Sequence, residues 1–141
     1  MNLLHINNRK SDSYYDLTHN RITVRGFSDS DMEETKMLIY PGILHNIYSI
    51  SKTGKIYSII NDSYISWSFQ GKDPIVSLIY QNPLSRTLSL ERFYIKDLVA
   101  YNYIANANDY LERGYRAVNI DGDPMNCNYS NIIYLSPNMK Y

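Results

Sequence analysis

Oxygen-bearing side chains crowd one short stretch of this sequence. Asp121, Asp123, Asn126, Asn128 and Asn131 all fall within eleven residues. Carboxylate and amide oxygens at that density are the ligands a hard divalent cation such as Mg²⁺ or Ca²⁺ takes, and Asp121, Asp123 and Asn131 are the candidates. Two observations weigh against a metal. Asp121-Gly122-Asp123-Pro124 is also an ordinary turn composition, and no Glu closes the stretch as a calcium-binding loop requires. Asn131 is therefore read as fixing the loop by side-chain-to-backbone hydrogen bonds, and no metal site is assigned.

Histidine, the usual general base, occurs only as His5, His19 and His45. All three lie outside that stretch, and each is read as a surface or loop residue. Cys127 is the single cysteine, so neither an intrachain disulfide nor a multi-cysteine zinc site can form, which fits a reducing compartment. The cations that could meet phosphate are Lys52, Lys55, Arg86, Arg92, Lys96, Arg113 and Arg116, interleaved with Tyr48, Tyr57, Tyr94 and Tyr115. Phosphate binding needs local positive charge and base stacking needs exposed rings. Glu91, Asp97 and Glu112 stand beside several of these cations and partly cancel them, and tyrosines equally suit the edge of a core.

A chain of 141 residues with 44% hydrophobic and 20% charged content has the makings of one domain with a full core, and intrinsic disorder is excluded. The 14 basic and 14 acidic side chains cancel, so there is no general field to attract nucleic acid or an anionic membrane. The 15 Tyr, together with abundant Asn and Ile, are read first as AT-rich coding, as in a phage or a low-GC bacterium. No signal-peptide core and no run of about 18 apolar residues occurs, so a soluble protein that is not exported is expected.

Several elements must position these groups. Residues 1–39 are read as an N-terminal extension, with a short strand at Arg21–Gly26. The spacing Ser30-Asp31-Met32-Glu33 predicts a capped helix running to Ile39, the alternative being a strand over Met37–Tyr40 that enters the Pro41-Gly42 turn. Ile47–Ser51 and Lys55–Ile60 flank Lys52-Thr53-Gly54, as a β-hairpin closed by glycine would. Ile75–Tyr80 and Thr87–Phe93 form a second pair, the first strand the more buried. Tyr94–Ile104 places Ile95, Leu98, Val99 and Asn102 on one helical stripe that Asn106–Asp109 ends. Ala117–Ile120 is extended, Asn126–Asn131 a brief helix and Ile132–Ser136 a closing strand.

In that order these elements resemble the HNH nucleases. Tyr48-Ser49-Ile50-Ser51-Lys52-Thr53-Gly54-Lys55-Ile56-Tyr57-Ser58 resembles the "YeVSnlGrVrS" signature of the module that precedes the HNH domain in phage homing endonucleases. Ile95–Ala100 resembles the "vHrLVA" helix start, Val118–Asp123 the "NHiDGN" turn and Asn131–Ser136 the "NLeWvs" strand. The resemblance spans roughly residues 40–136 and implies an α+β fold of β-hairpins followed by a ββα-metal unit. In the family the His of "NHiDG" is the general base that activates water while a divalent cation stabilises the phosphate. Here that position is Asn119, whose amide has no proton-accepting nitrogen near neutral pH. Val118 stands where a metal-binding Asp is common, and Lys96 replaces the His of "vHrLVA". Asn131 keeps the family's asparagine.

The reading is a two-part chain: the extension 1–39, then 40–141 as a hairpin module joined to a degenerate HNH-like domain with no catalytic residue. The function expected is a non-catalytic nucleic-acid-binding protein of phage or mobile-element origin, in the host cytoplasm or the virion, with DNA as partner, no membrane and no cofactor. The alternative is a structural or protein-interaction component on the same fold, with a protein partner. A second alternative is a DNA-nicking enzyme with displaced residues, the one case that requires Mg²⁺.

Overall fold

The structure, a computed structural model, describes residues 33–139 and, for the backbone, the strands Tyr14–Asp16 and Arg21–Thr23. Those strands are β1 and β2; β3 (Thr35–Met37), β4 (Tyr48–Ser51), β5 (Ile56–Ser58) and β6 (Ser63–Ile65) continue them into one six-stranded sheet. Every neighbour in it is antiparallel and consecutive in sequence. β7 (Ser68–Gln70), β8 (Asp73–Gln81) and β9 (Leu88–Tyr94) make a second antiparallel sheet with β8 at its centre. Helix α1 (Ile95–Tyr103), a short helix α2 (Ala107–Glu112) and the hairpin of β10 (Arg116–Asn119) with β11 (Ile132–Leu135) complete the chain.

The predicted hairpin is present in the register Tyr48↔Ser58, Ser49↔Tyr57, Ile50↔Ile56. Both strands are buried along their whole length. Ser51 shapes the turn, its Oγ accepting from the backbone N–H of Thr53 and of Lys55 at 3.3 and 3.0 Å. Gly54 closes it at φ +93°, and a Cβ there would lie 2.5 Å from Cγ2 of Ile95. Glycine is thus required twice, for the left-handed backbone and for the approach of the turn to the start of α1.

The predicted helix at residues 30–39 is corrected: Thr35–Met37 is a strand, and Ser30, Asp31 and Met32 lie outside the described residues. A short helix would leave its terminal backbone groups unpaired, whereas β3 pairs on both sides, with β2 and with β4, and buries Thr35. The alternative reading, a strand entering the Pro41-Gly42 turn, comes closer. β3 and β4 pair across residue 40, so one sheet runs through both parts of the chain.

The stripe predicted on α1 is the buried one: Ile95, Leu98, Val99 and Asn102 all turn into the core, with Ala100. This face meets Ile50, Ile56, Val76 and Leu78 from the two larger sheets. Asn102 does more than pack. Its Oδ1 accepts from the Ile39 N–H at 2.9 Å and its Nδ2 donates to the Ile39 carbonyl at 3.0 Å, so a side chain completes the pairing of the strand end. The predicted end of the helix at Asn106–Asp109 is also corrected. α1 stops at Tyr103, and Asn106, at φ +63°, starts α2, which buries Ala107. β6 and β7 were not expected; both are short, β6 without a buried residue and β7 exposed throughout, and burial is what a sequence pattern reports.

Gly54→Ala is expected to destabilise the protein by about 2–4 kcal/mol, from an overpacked Ile95 contact and a disfavoured backbone angle. Urea unfolding would show it as a lower midpoint at unchanged slope.

Candidate functional site

The Asp/Asn stretch is the connection between β10 and β11, and its side chains bond largely within that loop. Asp121 Oδ1 accepts from the Asp123 N–H at 2.8 Å and from Asn131 Nδ2 at 3.0 Å, while Oδ2 accepts from Asn126 Nδ2 at 2.9 Å. Asn131 also donates to the Asn126 carbonyl at 2.9 Å and accepts from the Asp121 N–H at 3.2 Å. Hydrogen bonds from Asn126, Asp123 and Asn131, in that order of effect, hold the Asp121 carboxyl below its ordinary pKa. The loop is a closed network of the kind expected for Asn131. Among the described residues, no cluster of His, Cys, Asp and Glu is arranged to hold a metal ion.

Asn119, at the end of β10, is buried, and its Nδ2 donates to the Asn126 carbonyl at 2.9 Å. It also contacts the Cys127 thiol, which burial pushes up to about 11 despite that bond. Cys127 therefore stays a neutral thiol that donates to the Pro124 carbonyl at 3.4 Å. Asn119, Asn126 and Asn131 thus converge on one loop, and the amide groups act as braces.

The seven cations do not form one surface. Lys52, Lys55 and Lys96 gather around the loop. Lys52 sits over the Tyr129 ring at 5.1 Å, with its carbonyl accepting from the Tyr129 N–H at 2.8 Å. Lys55 lines a cavity of about 470 Å³ with Thr53, Trp67, Met125, Asn126 and Asn128, and Cys127 forms part of the same wall. Lys96 acts electrostatically on Cys127 and lies 3.8 Å from Asp73 and 5.6 Å from the Tyr94 ring centre. The arginines are elsewhere. Arg86 is in the β8–β9 turn, Arg92 lies mid-strand on exposed β9, Arg113 pairs with Asp109 at 3.5 Å, and Arg116 donates to the Met139 carbonyl.

Charge cancellation also follows contacts rather than sequence neighbours. Lys55 faces Glu33 at 3.4 Å and Lys96 faces Asp73, whereas Glu91 accepts from Ser89 and Glu112 from Asn108. Tyr48 and Tyr57 are buried, which removes them as stacking platforms; Tyr94 and Tyr115 remain half-buried. His45 is exposed, and His5 and His19 lie outside the described residues.

Sequence reasoning missed Trp67, Glu33 and Asp73, which reach the site only through the fold. A lone tryptophan was the one signal available. Asp97, beside Lys96, is raised to about 6, chiefly by burial and further by Asp73, with Lys96 opposing.

No family model and no curated protein matches the sequence. A solved structure does: the HNH homing endonuclease I-HmuI, described for its DNA binding and cleavage, superimposes with a TM-score of 0.53 at 19% identity. The match covers 65% of this chain and 48% of that one, so the similarity extends over about half of the endonuclease's length. The two share a fold, as the hairpin, helix and turn motifs imply. Here the helix packed on the β10–β11 hairpin, α1, precedes it, and among the described residues no helix follows β11. Among the described residues no helix is long and apolar enough to cross a membrane.

Two outcomes are expected. Asn131→Ala removes three hydrogen bonds of the loop and should cost about 1–3 kcal/mol by denaturant unfolding. It should also move the Asp121 pKa, followed by NMR, up toward its ordinary value. Since that pKa is depressed in the folded protein, its stabilising effect is present at neutral pH and lost on acidification, and the variant should lose less to acid. Asp97 behaves oppositely. The folded protein holds its proton more tightly than the unfolded chain, so stability falls as pH rises from about 4 to about 6. Asp97→Asn should gain about 1 kcal/mol at pH 7, the side chain still reaching solvent, and nothing below about pH 4.

Proposed function

We propose that this protein is a non-catalytic nucleic-acid-binding protein derived from an HNH homing endonuclease and encoded by a phage or mobile element. In this reading the β10–β11 hairpin is the remnant of a ββα-metal unit. One observation carries it: the position of the water-activating base is Asn119, a buried amide already bonded to its own loop, while the only carboxylate central to that loop, Asp121, is closed by three hydrogen bonds. An amide accepts no proton from water, and the Asp121 carboxylate is engaged within its own loop. What such a loop retains is shape, with the exposed Lys52 beside it as a contact for a phosphate backbone.

A protein-interaction role is the second reading, favoured by a specific feature. β9 is an edge strand whose outward side chains include Leu88 and Leu90, 57% and 70% exposed, with Leu84 in the adjoining turn 93% exposed. Exposed leucines on a sheet edge suit a protein surface better than a phosphate backbone.

Salt separates the two. Retention of DNA at low salt should fall steeply toward physiological salt, and Lys52→Ala should reduce the slope of log affinity against log salt by about one. No retention at low salt would sink the nucleic-acid reading and leave the β9 surface, which a pull-down with Leu88→Ser/Leu90→Ser as control then examines. With Mg²⁺ or Mn²⁺, no nicking of plasmid DNA is expected.

A further inference from the structure

We infer that the cavity between the β4–β5 turn and the Asn126–Asn128 segment receives a single unpaired nucleobase of a bound strand. This rests on the nucleic-acid-binding reading and adds to it which part of the ligand enters the fold. At about 470 Å³ the cavity lies in the range of about 300–1,000 Å³ that small-molecule sites occupy.

Its lining suits a flat, neutral heterocycle. Trp67 supplies an indole held in place by its Nε1–H donating to the Gly54 carbonyl at 3.0 Å, and a Cβ on Gly54 would lie 3.3 Å from the ring. A fixed ring stacks any base without paying to order itself. Two amides then offer complementary edges. Asn126 commits Nδ2 to Asp121, leaving Oδ1 as an acceptor, and Asn128 commits Oδ1 to the Ser130 N–H and hydroxyl, leaving Nδ2 as a donor. A donor and an acceptor held by a braced loop are what reading a base edge requires.

Charge decides against a phosphate in the same place. The Lys55 ammonium faces Glu33 at 3.4 Å, and the Thr53 hydroxyl is given to the same carboxylate. The wall is close to neutral, with Met125 and the Cys127 thiol apolar. The exposed Lys52, which joins the loop through its carbonyl and Tyr129, remains outside for the backbone. The base must be unpaired, because in a duplex its face is stacked and its pairing edge occupied.

Trp67 is the chain's single tryptophan, so fluorescence excited at wavelengths that the 15 tyrosines do not absorb reports on this cavity. The full-length protein is titrated with a single strand of about ten nucleotides, with an abasic strand of equal length and with free nucleosides, while gel retention is recorded in parallel. The base-bearing strand and the nucleosides should quench Trp67 saturably; the abasic strand should be retained, about tenfold more weakly, without quenching. Asn128→Asp keeps the oxygen that serves Ser130 and loses the donor, so it should weaken base-bearing binding about tenfold at an unchanged unfolding midpoint. Equal retention of both strands without quenching overturns the cavity and leaves the nucleic-acid reading standing. Retention of neither strand overturns both.

Discussion

The contact of Gly54 with Ile95 is the constraint from which the rest of this arrangement follows. A hairpin turn is normally a solvent feature, yet here its glycine lies against the first residue of α1 with no space for a methyl group. That approach brings Thr53 and Lys55 to the same cavity as Asn126 and Asn128, which belong to a loop more than seventy residues later in the chain. Trp67 seals the junction through the Gly54 carbonyl, and the Tyr129 N–H closes it from the other side through the Lys52 carbonyl. Backbone groups make the connections, so side chains at the surface stay available for other contacts.

The β10–β11 loop is held together by its own amide and carboxylate side chains. Amides both donate and accept, so an asparagine-rich loop can satisfy itself. Asn126 and Asn131 donate to Asp121, whose pKa they lower, and Asn119 donates to the Asn126 carbonyl. A histidine at position 119 would offer a single ring acceptor in one tautomer and could exchange a proton with water. The Asn119 amide instead braces the loop, in a chain whose fold is similar to that of an endonuclease at 19% identity.

Neutral net charge looked at first like evidence against any role with nucleic acid. Its distribution gives it another meaning. Lys55 and Lys96 have acidic partners contributed by distant segments, Glu33 and Asp73, so the zero sum reflects specific pairs as well as average composition. Surface pairs of this sort stabilise by at most about 1 kcal/mol, and their larger effect is on what each neighbourhood can accept. A paired lysine discourages a second anion; Lys52, over the Tyr129 ring, has no such pair among the described residues.

Local patterns were enough to locate the elements whose burial alternates or repeats: the β4–β5 and β8–β9 hairpins, the stripe of α1, and the β10–β11 turn with its brief helical segment. The resemblance of the motifs also pointed to the right kind of fold. Where local preference competed with distant pairing, the pattern failed. Ser30 to Ile39 has the spacing of a capped helix, but Thr35–Met37, a strand between two others, satisfies its backbone on both sides. The identity of the residues at 96, 119 and 131 is written in the sequence, and with it the absence of histidine at those positions. Only the tertiary structure decided which cations have partners, which tyrosines are buried, and that Trp67 faces the asparagine loop, because those properties depend on contacts between segments far apart along the chain.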